Sequence, residues 1–264
     1  MQNCYACDVG DFGKYGLLKY LCISTEDDKN SELNLGVVWY LVPDESNNND
    51  GKHTDYLKPH PENDIFRKCD QKLYYELAEI LHTERTISQI QKNNILPQGT
   101  SFYDIPLTFV DMPSIGPKAR NMRIKKRREW VQEAFKKTEL CDVVFFDPDN
   151  GLEIKSIKSH NKYGPKYAFF DELSPYLQRN QSLVIYQHII RNASAKEQII
   201  DRFDQIKKRF NGSSSAFALH YHRGTSRVFF IVPSQNHKEI ILERAKYFVE
   251  GPWKNHFELI TQEL

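Results

Sequence analysis

Residues 143–155, VVFFDPDNGLEIK, place Asp147, Pro148, Asp149 and Asn150 directly after four apolar residues, with Glu153 two positions beyond Gly151. Three carboxylates and an amide where a strand ends are groups that can do chemistry. Asp147, Asp149 and Glu153, facing Asp44, Glu45, Asp50 and His53 from a second loop, supply the oxygen-rich ligands that Mg²⁺ or Mn²⁺ prefers, with Lys155 or His188 serving a phosphoryl oxygen or a proton. That set describes a divalent-metal-dependent nuclease or phosphoesterase. A second reading keeps the acids as helix caps or solvated groups around Asn150-Gly151, a turn-forming pair.

Other reactive side chains are fewer. Cys4-x-x-Cys7 has no second CxxC to complete a zinc site, and five scattered cysteines make no disulfide framework. His220 and His222 alternate along a strand and share one face, with no third ligand in sequence reach. Residues 117–137 carry nine basic side chains against two acidic ones, whereas residues 25–64 carry ten acidic against three basic. Arg120, Arg123, Lys126 and Arg127 on that basic helix are either a phosphate-backbone contact surface, binding nucleic acid through counterion release, or a solvated face.

The elements that must position these groups alternate in type. LGVVWYLV (35–42), CDVVFFD (141–147) and SLVIYQ (182–187) are β-branched and aromatic runs that predict adjacent buried parallel strands, and DIPLTFVDM (104–112) predicts another. Helices are expected over 13–23, within 63–92, over 117–137, 166–179 and 236–249. AFALHYHRGTSRVFFIVPS predicts an antiparallel hairpin about Arg223-Gly224-Thr225. The pattern is that of one α/β domain over 1–264 with a Rossmann-like, mostly parallel sheet, an antiparallel C-terminal hairpin and a helical insertion at 55–100. In such sheets ligands bind beyond the carboxyl ends of the strands, so loops 43–53 and 147–153 should face one cleft bordered by Tyr186-Gln187-His188.

The chain has 264 residues, is 40% apolar and has a net charge of +1. No run approaches the roughly 18 apolar residues of a membrane span, and the first residues carry no apolar signal core, so a cytoplasmic protein is expected.

At CDVGDFGKYGLLKYL the chain resembles the first helix of the large-subunit ribosomal-RNA adenine-N6 methyltransferase family, and VVWYLVPDESNNNDGKHTDYL stands where that family has its strand-one cofactor loop. FFDPDNG stands where it has Asp-Pro-Pro-Tyr. The resemblance implies a methyltransferase-type fold, S-adenosylmethionine as cofactor and an exposed adenine in nucleic acid as substrate. It places Asp11 and Lys14 near the cofactor, Asp44, Glu45 and His53 in or beside its loop, and Asp147 on the target amino group. Asp149 and Asn150 replace the second proline and the stacking aromatic, leaving stacking to Phe146, Tyr163 or Tyr186, and the strand-one loop has no GxG. A fold of this type kept only as a binding module is a further alternative. Pro148-Asp149 with Glu153-Ile154-Lys155 also echoes the PD-(D/E)xK nuclease signature.

Overall fold

The computed structural model describes residues 1–23, 33–45, 51–113, 115–190, 193–210 and 215–262. Helix α1 (Val9–Cys22) leads into β1 (Leu35–Val38), and between β1 and β2 (Ser101–Tyr103) lie α2 (Asp64–Arg67), α3 (Gln71–His82) and α4 (Ile87–Lys92). Next come α5 (Pro117–Lys137), β3 (Val143–Phe146), the short strands β4 (Gly151–Leu152) and β5 (Tyr167–Ala168), α6 (Phe170–Gln178) and β6 (Ser182–His188). The chain closes with α7 (Ala195–Arg209), β7 (Phe217–Tyr221), β8 (Arg227–Val232), α8 (Lys238–Glu250) and β9 (Phe257–Thr261).

The main sheet has the order β2-β1-β3-β6-β8-β7-β9, while β4 and β5 pair separately. β2, β1, β3 and β6 are mutually parallel, and β8 enters antiparallel between β6 and β7. β7 therefore points the same way as β6, so five of the seven strands share one direction. The result is a mixed, mostly parallel Rossmann-like α/β sheet. Its hairpin is folded back, with the later strand innermost and β9 on the edge.

Burial on both faces explains the apolar runs. Val143 and Phe145 point to a core shared with α1, α8 and the 55–100 helices, while Val144 and Phe146 point to one shared with α5, α6 and α7. The same period of two divides β8, with Phe229 and Ile231 on one side and Val228, Phe230 and Val232 on the other.

The 35–42 run is strand only to Val38, because Tyr40 takes φ +48° and turns the chain out of the sheet. Residues 104–112 are not a strand. Pro106 and Pro113 remove ladder donors from that segment, and the strand there is the earlier Ser101–Tyr103. Helix α7, β9 and the β4–β5 pair are additional to the expected elements.

Helix α1 lies unusually close to the sheet. A Cβ on Gly10 would fall 2.3 Å from Arg227 Cζ, one on Gly13 2.7 Å from the Tyr221 ring, and one on Gly16 2.2 Å from Trp253 Cζ2. These glycines recur every three residues on one side of the helix. Asp11 and Lys14 recur at the same interval on the neighbouring stripe, so seating the glycines on β8, β7 and the Trp253 ring between α8 and β9 turns both charged groups toward the end of β3.

Candidate functional site

Three buried groups form the floor at the carboxyl ends of the central strands. Lys14 Nζ donates to Asp11 Oδ1 and to Asp147 Oδ2, each at 2.7 Å. Asp11 also accepts from the Cys7 amide and the Tyr15 hydroxyl. All three charged side chains are buried, and the ammonium sits 5.6–5.9 Å from the ring centres of Tyr15, Trp39, Phe145 and Tyr186. Burial opposes the charge on Lys14, but the Asp11 and Asp147 carboxylates outweigh it and hold the amine above the usual lysine range. Lys14 is thus a fixed cation rather than a base.

A second cluster forms one wall. Asp149 lies 3.0 Å from Lys166 Nζ and 3.2 Å from Gln2 Nε2, and Lys166 also reaches Glu45 at 2.7 Å. Burial raises the Asp149 carboxyl, but the Met1 amine and Lys166 outweigh it and hold the group below the usual carboxylate range. On the other side Asp8 caps α1 through the Gly10 amide, accepts the His53 amide at 3.1 Å and pairs with Arg227 at 2.5 Å.

Between these groups is a cavity of about 140 Å³, bordered also by Pro148, Asn150, Tyr186 and His188. Five carboxylates (Asp8, Asp11, Glu45, Asp147 and Asp149) face three side-chain cations (Lys14, Lys166 and Arg227) and the Met1 amine, so the lining carries one acidic group more than its cations. A surplus of that sign favours an amine or a cation over a phosphate. Tyr186 supplies an aromatic wall one strand away from Asp147, since Phe146 pairs with Ile185 across β3 and β6.

Of the residues expected at the site, Asp147, Pro148, Asp149, Asn150, His188, Asp11, Lys14, Glu45 and His53 do border this one cavity. Others do not. Asp44 is turned to the Cys4 amide. Glu153 accepts the Phe170 amide at the start of α6 and pairs with Arg209, so Asp147, Asp149 and Glu153 do not converge on one ion. Among the described residues no three acid, histidine or cysteine ligand atoms come together in this cavity. Asp50 lies outside the described residues. Phe146 is buried against Tyr176 in the opposite core, and Tyr163 is exposed elsewhere, which leaves Tyr186 as the aromatic beside Asp147.

The basic helix also departs from expectation. Arg127 is buried, pairing with Glu172 and donating to the carbonyls of Gly164 and Tyr167, so it has no phosphate-binding role. Arg123 is half-buried and donates to the Pro113 carbonyl, while Arg120 is exposed. Lys126 is half-buried.

S-Adenosylmethionine as a whole does not fit the cavity as it stands. Ligand pockets for molecules of that size run to roughly 300–1,000 Å³. The space beyond β1 is taken by the first two residues: the Met1 nitrogen donates to the Tyr40 carbonyl, the Val42 amide to the Met1 carbonyl, and the Glu45 amide to Gln2 Oε1.

Several contributors carry little signal in the sequence. Asp8, Arg227, Lys166 and Gln2 each act through a partner far along the chain. Gln187 braces the turn after β3, accepting from the Leu152 amide and donating to the Asn150 carbonyl. Gly151 takes φ +108°, and a Cβ there would lie 2.5 Å from the Gln187 amide, so the Asn150-Gly151 pair forms a turn that only glycine completes. No protein-family model matches the sequence, and no curated protein matches it. Among the described residues no helix is long and apolar enough to cross a membrane.

Proposed function

We propose that the protein is an enzyme that modifies an amino group on a nucleic-acid base, with the acidic cavity as the base site. The observation that carries this reading is the juxtaposition of Asp147 and Tyr186 on one small cavity with an acidic surplus. Lys14 occupies Asp147 Oδ2. Oδ1 and the Pro148 carbonyl are then the acceptors for an exocyclic amine, and the Tyr186 ring is the surface on which a base stacks. Accepting both amino hydrogens concentrates electron density on nitrogen, which is what transfer to that nitrogen needs. Methyl transfer is the form of the reaction that the resemblance at residues 7–21 and 145–151 suggests. A nucleic-acid partner and a cytoplasmic setting belong to the same proposal.

The test is binding of single-stranded oligonucleotides carrying one adenine or, in its place, one hypoxanthine, which lacks the amino group. Preference for adenine, lost in Asp147→Asn at a temperature where that variant remains folded, is expected. Equal binding of the two would overturn the reading. A thermal-shift panel then separates the chemistries: a rise with S-adenosylhomocysteine supports methyl transfer, and a rise with Mg²⁺ or Mn²⁺ alone favours hydrolysis.

A further inference from the structure

Away from the cavity, the sheet edge gathers three metal-ligating side chains that the sequence separates. His220 on β7 stands in register with Glu258 on β9, and the β7–β9 ladder continues one step beyond the strand through the His222 amide and the His256 carbonyl. The two imidazole rings are 4.1 Å apart, centre to centre. Glu258 Oε2 lies 3.6 Å from His222 Nε2 and 4.0 Å from His220 Nδ1, and one ligand atom from each of the three residues falls within 4.8 Å of the others. Ligand atoms on a tetrahedral Zn²⁺ are separated by about 3.4 Å, given metal–nitrogen distances of about 2.05 Å. Small side-chain rotations close the remaining gap.

Two features prepare the cluster for a metal rather than for solvent alone. His220 Nε2 is 2.6 Å from Ser226 Oγ, the hydrogen bond to the distal ring nitrogen that fixes a ligating imidazole, so Nδ1 is the nitrogen turned to Glu258. His222 and Glu258 are exposed while His220 is buried, which gives an anchored ligand, two that can close, and a fourth position open to water.

We infer that His220, His222 and Glu258 form a binding site for a borderline first-row divalent cation, Zn²⁺ in the first instance. Two imidazoles and one carboxylate select such an ion over Mg²⁺ or Ca²⁺, which take oxygen ligands. The bound ion would tie β9 to β7. Through Ser226 it would also steady the turn that carries Thr225 and Arg227 into the cavity wall. The site is independent of the proposed base chemistry.

The experiment is calorimetric titration of the intact chain with ZnCl₂, repeated with His222→Gln and Glu258→Gln. Both positions are exposed, so neither variant is expected to disturb folding. One equivalent of Zn²⁺ is expected to bind the unaltered protein, with affinity falling 10-fold or more in each variant, and Co²⁺ in place of Zn²⁺ should show the visible absorption of a low-coordinate nitrogen–oxygen site. Ser226→Ala should weaken binding about 10-fold through the lost ring contact. Absence of Zn²⁺ uptake, or uptake that both variants leave unchanged, as binding at the cysteines would be, overturns the inference.

Discussion

Lys14 and Asp147 stand 133 positions apart in sequence and 2.7 Å apart in space, and neither has appreciable contact with solvent. The pair joins the first helix of the chain to the end of the central strand. Because Asp11 holds the same ammonium from the opposite side, one cation is shared between two carboxylates. A buried cluster of this kind gives little net stability when complete but is costly to break, since each remaining charge is left unpaired away from water.

Lys14→Met is accordingly expected to cost about 3–5 kcal/mol, because it leaves Asp11 and Asp147 facing each other uncompensated. Asp147→Asn should cost less, since Asp11 still pairs with the lysine. The double variant should be less destabilised than the sum of the two singles. Urea unfolding of the four proteins measures the coupling, and strict additivity would mean that the pair contributes nothing to the fold.

Asp149 makes a prediction about acid. Its folded pKa lies below the ordinary 3.8, so the stability it contributes is complete above about pH 4 and is lost as pH falls through the folded value. Lys166→Met removes one of the cations responsible. The gap in stability between that variant and the parent should be widest near neutrality and shrink below pH 4, when Asp149 becomes protonated in both. Denaturation midpoints at pH 7, 4 and 3 provide the check, and a gap that does not vary with pH would contradict it.

The basic helix separates two kinds of arginine. Arg127→Ala should cost about 3–5 kcal/mol by stranding Glu172 and two carbonyl groups, whereas Arg120→Ala, at an exposed position, should fall within about 0.5 kcal/mol of the parent. If α5 contacts nucleic acid, replacing Arg120 and Lys126 together should flatten the salt dependence of binding without changing the melting temperature. An unchanged slope assigns the helix to solvation.

What the sequence discloses and what it hides follow from the range of the contacts involved. β3, β6 and the β7–β8 hairpin are legible because both sheet faces are covered and the strands are almost wholly apolar. Asp147 is conspicuous for the same reason, as a charge immediately after such a run. Arg227 gives no comparable sign, since its partner Asp8 lies 219 residues away. Lys166 reaches Asp149 only because the β4–β5 pair brings the chain back beside the turn. Arg127 was distinguishable in principle: it shares a helical stripe with Trp130 and Ala134, and a charge on the packed stripe needs a buried partner. The glycine stripe of α1 likewise reads as poor helix propensity until Tyr221 and Trp253 are seen against it.

That stripe supports the last prediction. In an exposed helix Gly13→Ala would add about 1 kcal/mol of stability through backbone entropy. Here the new methyl would meet the Tyr221 ring at 2.7 Å, and that ring cannot turn aside easily, being fully buried with its hydroxyl bonded to the Val9 carbonyl at 3.0 Å. Overpacking of this kind costs about 1–3 kcal/mol, so the variant should be less stable than the parent despite its better helix former. Lifting α1 from β7 also moves Asp11 and Lys14 away from Asp147, so adenine preference in the oligonucleotide assay should weaken in step with stability. Gly13→Ala combined with Tyr221→Leu should recover part of both by making room for the methyl. A single variant as stable as the parent would show that the close approach of helix and sheet does not position the site.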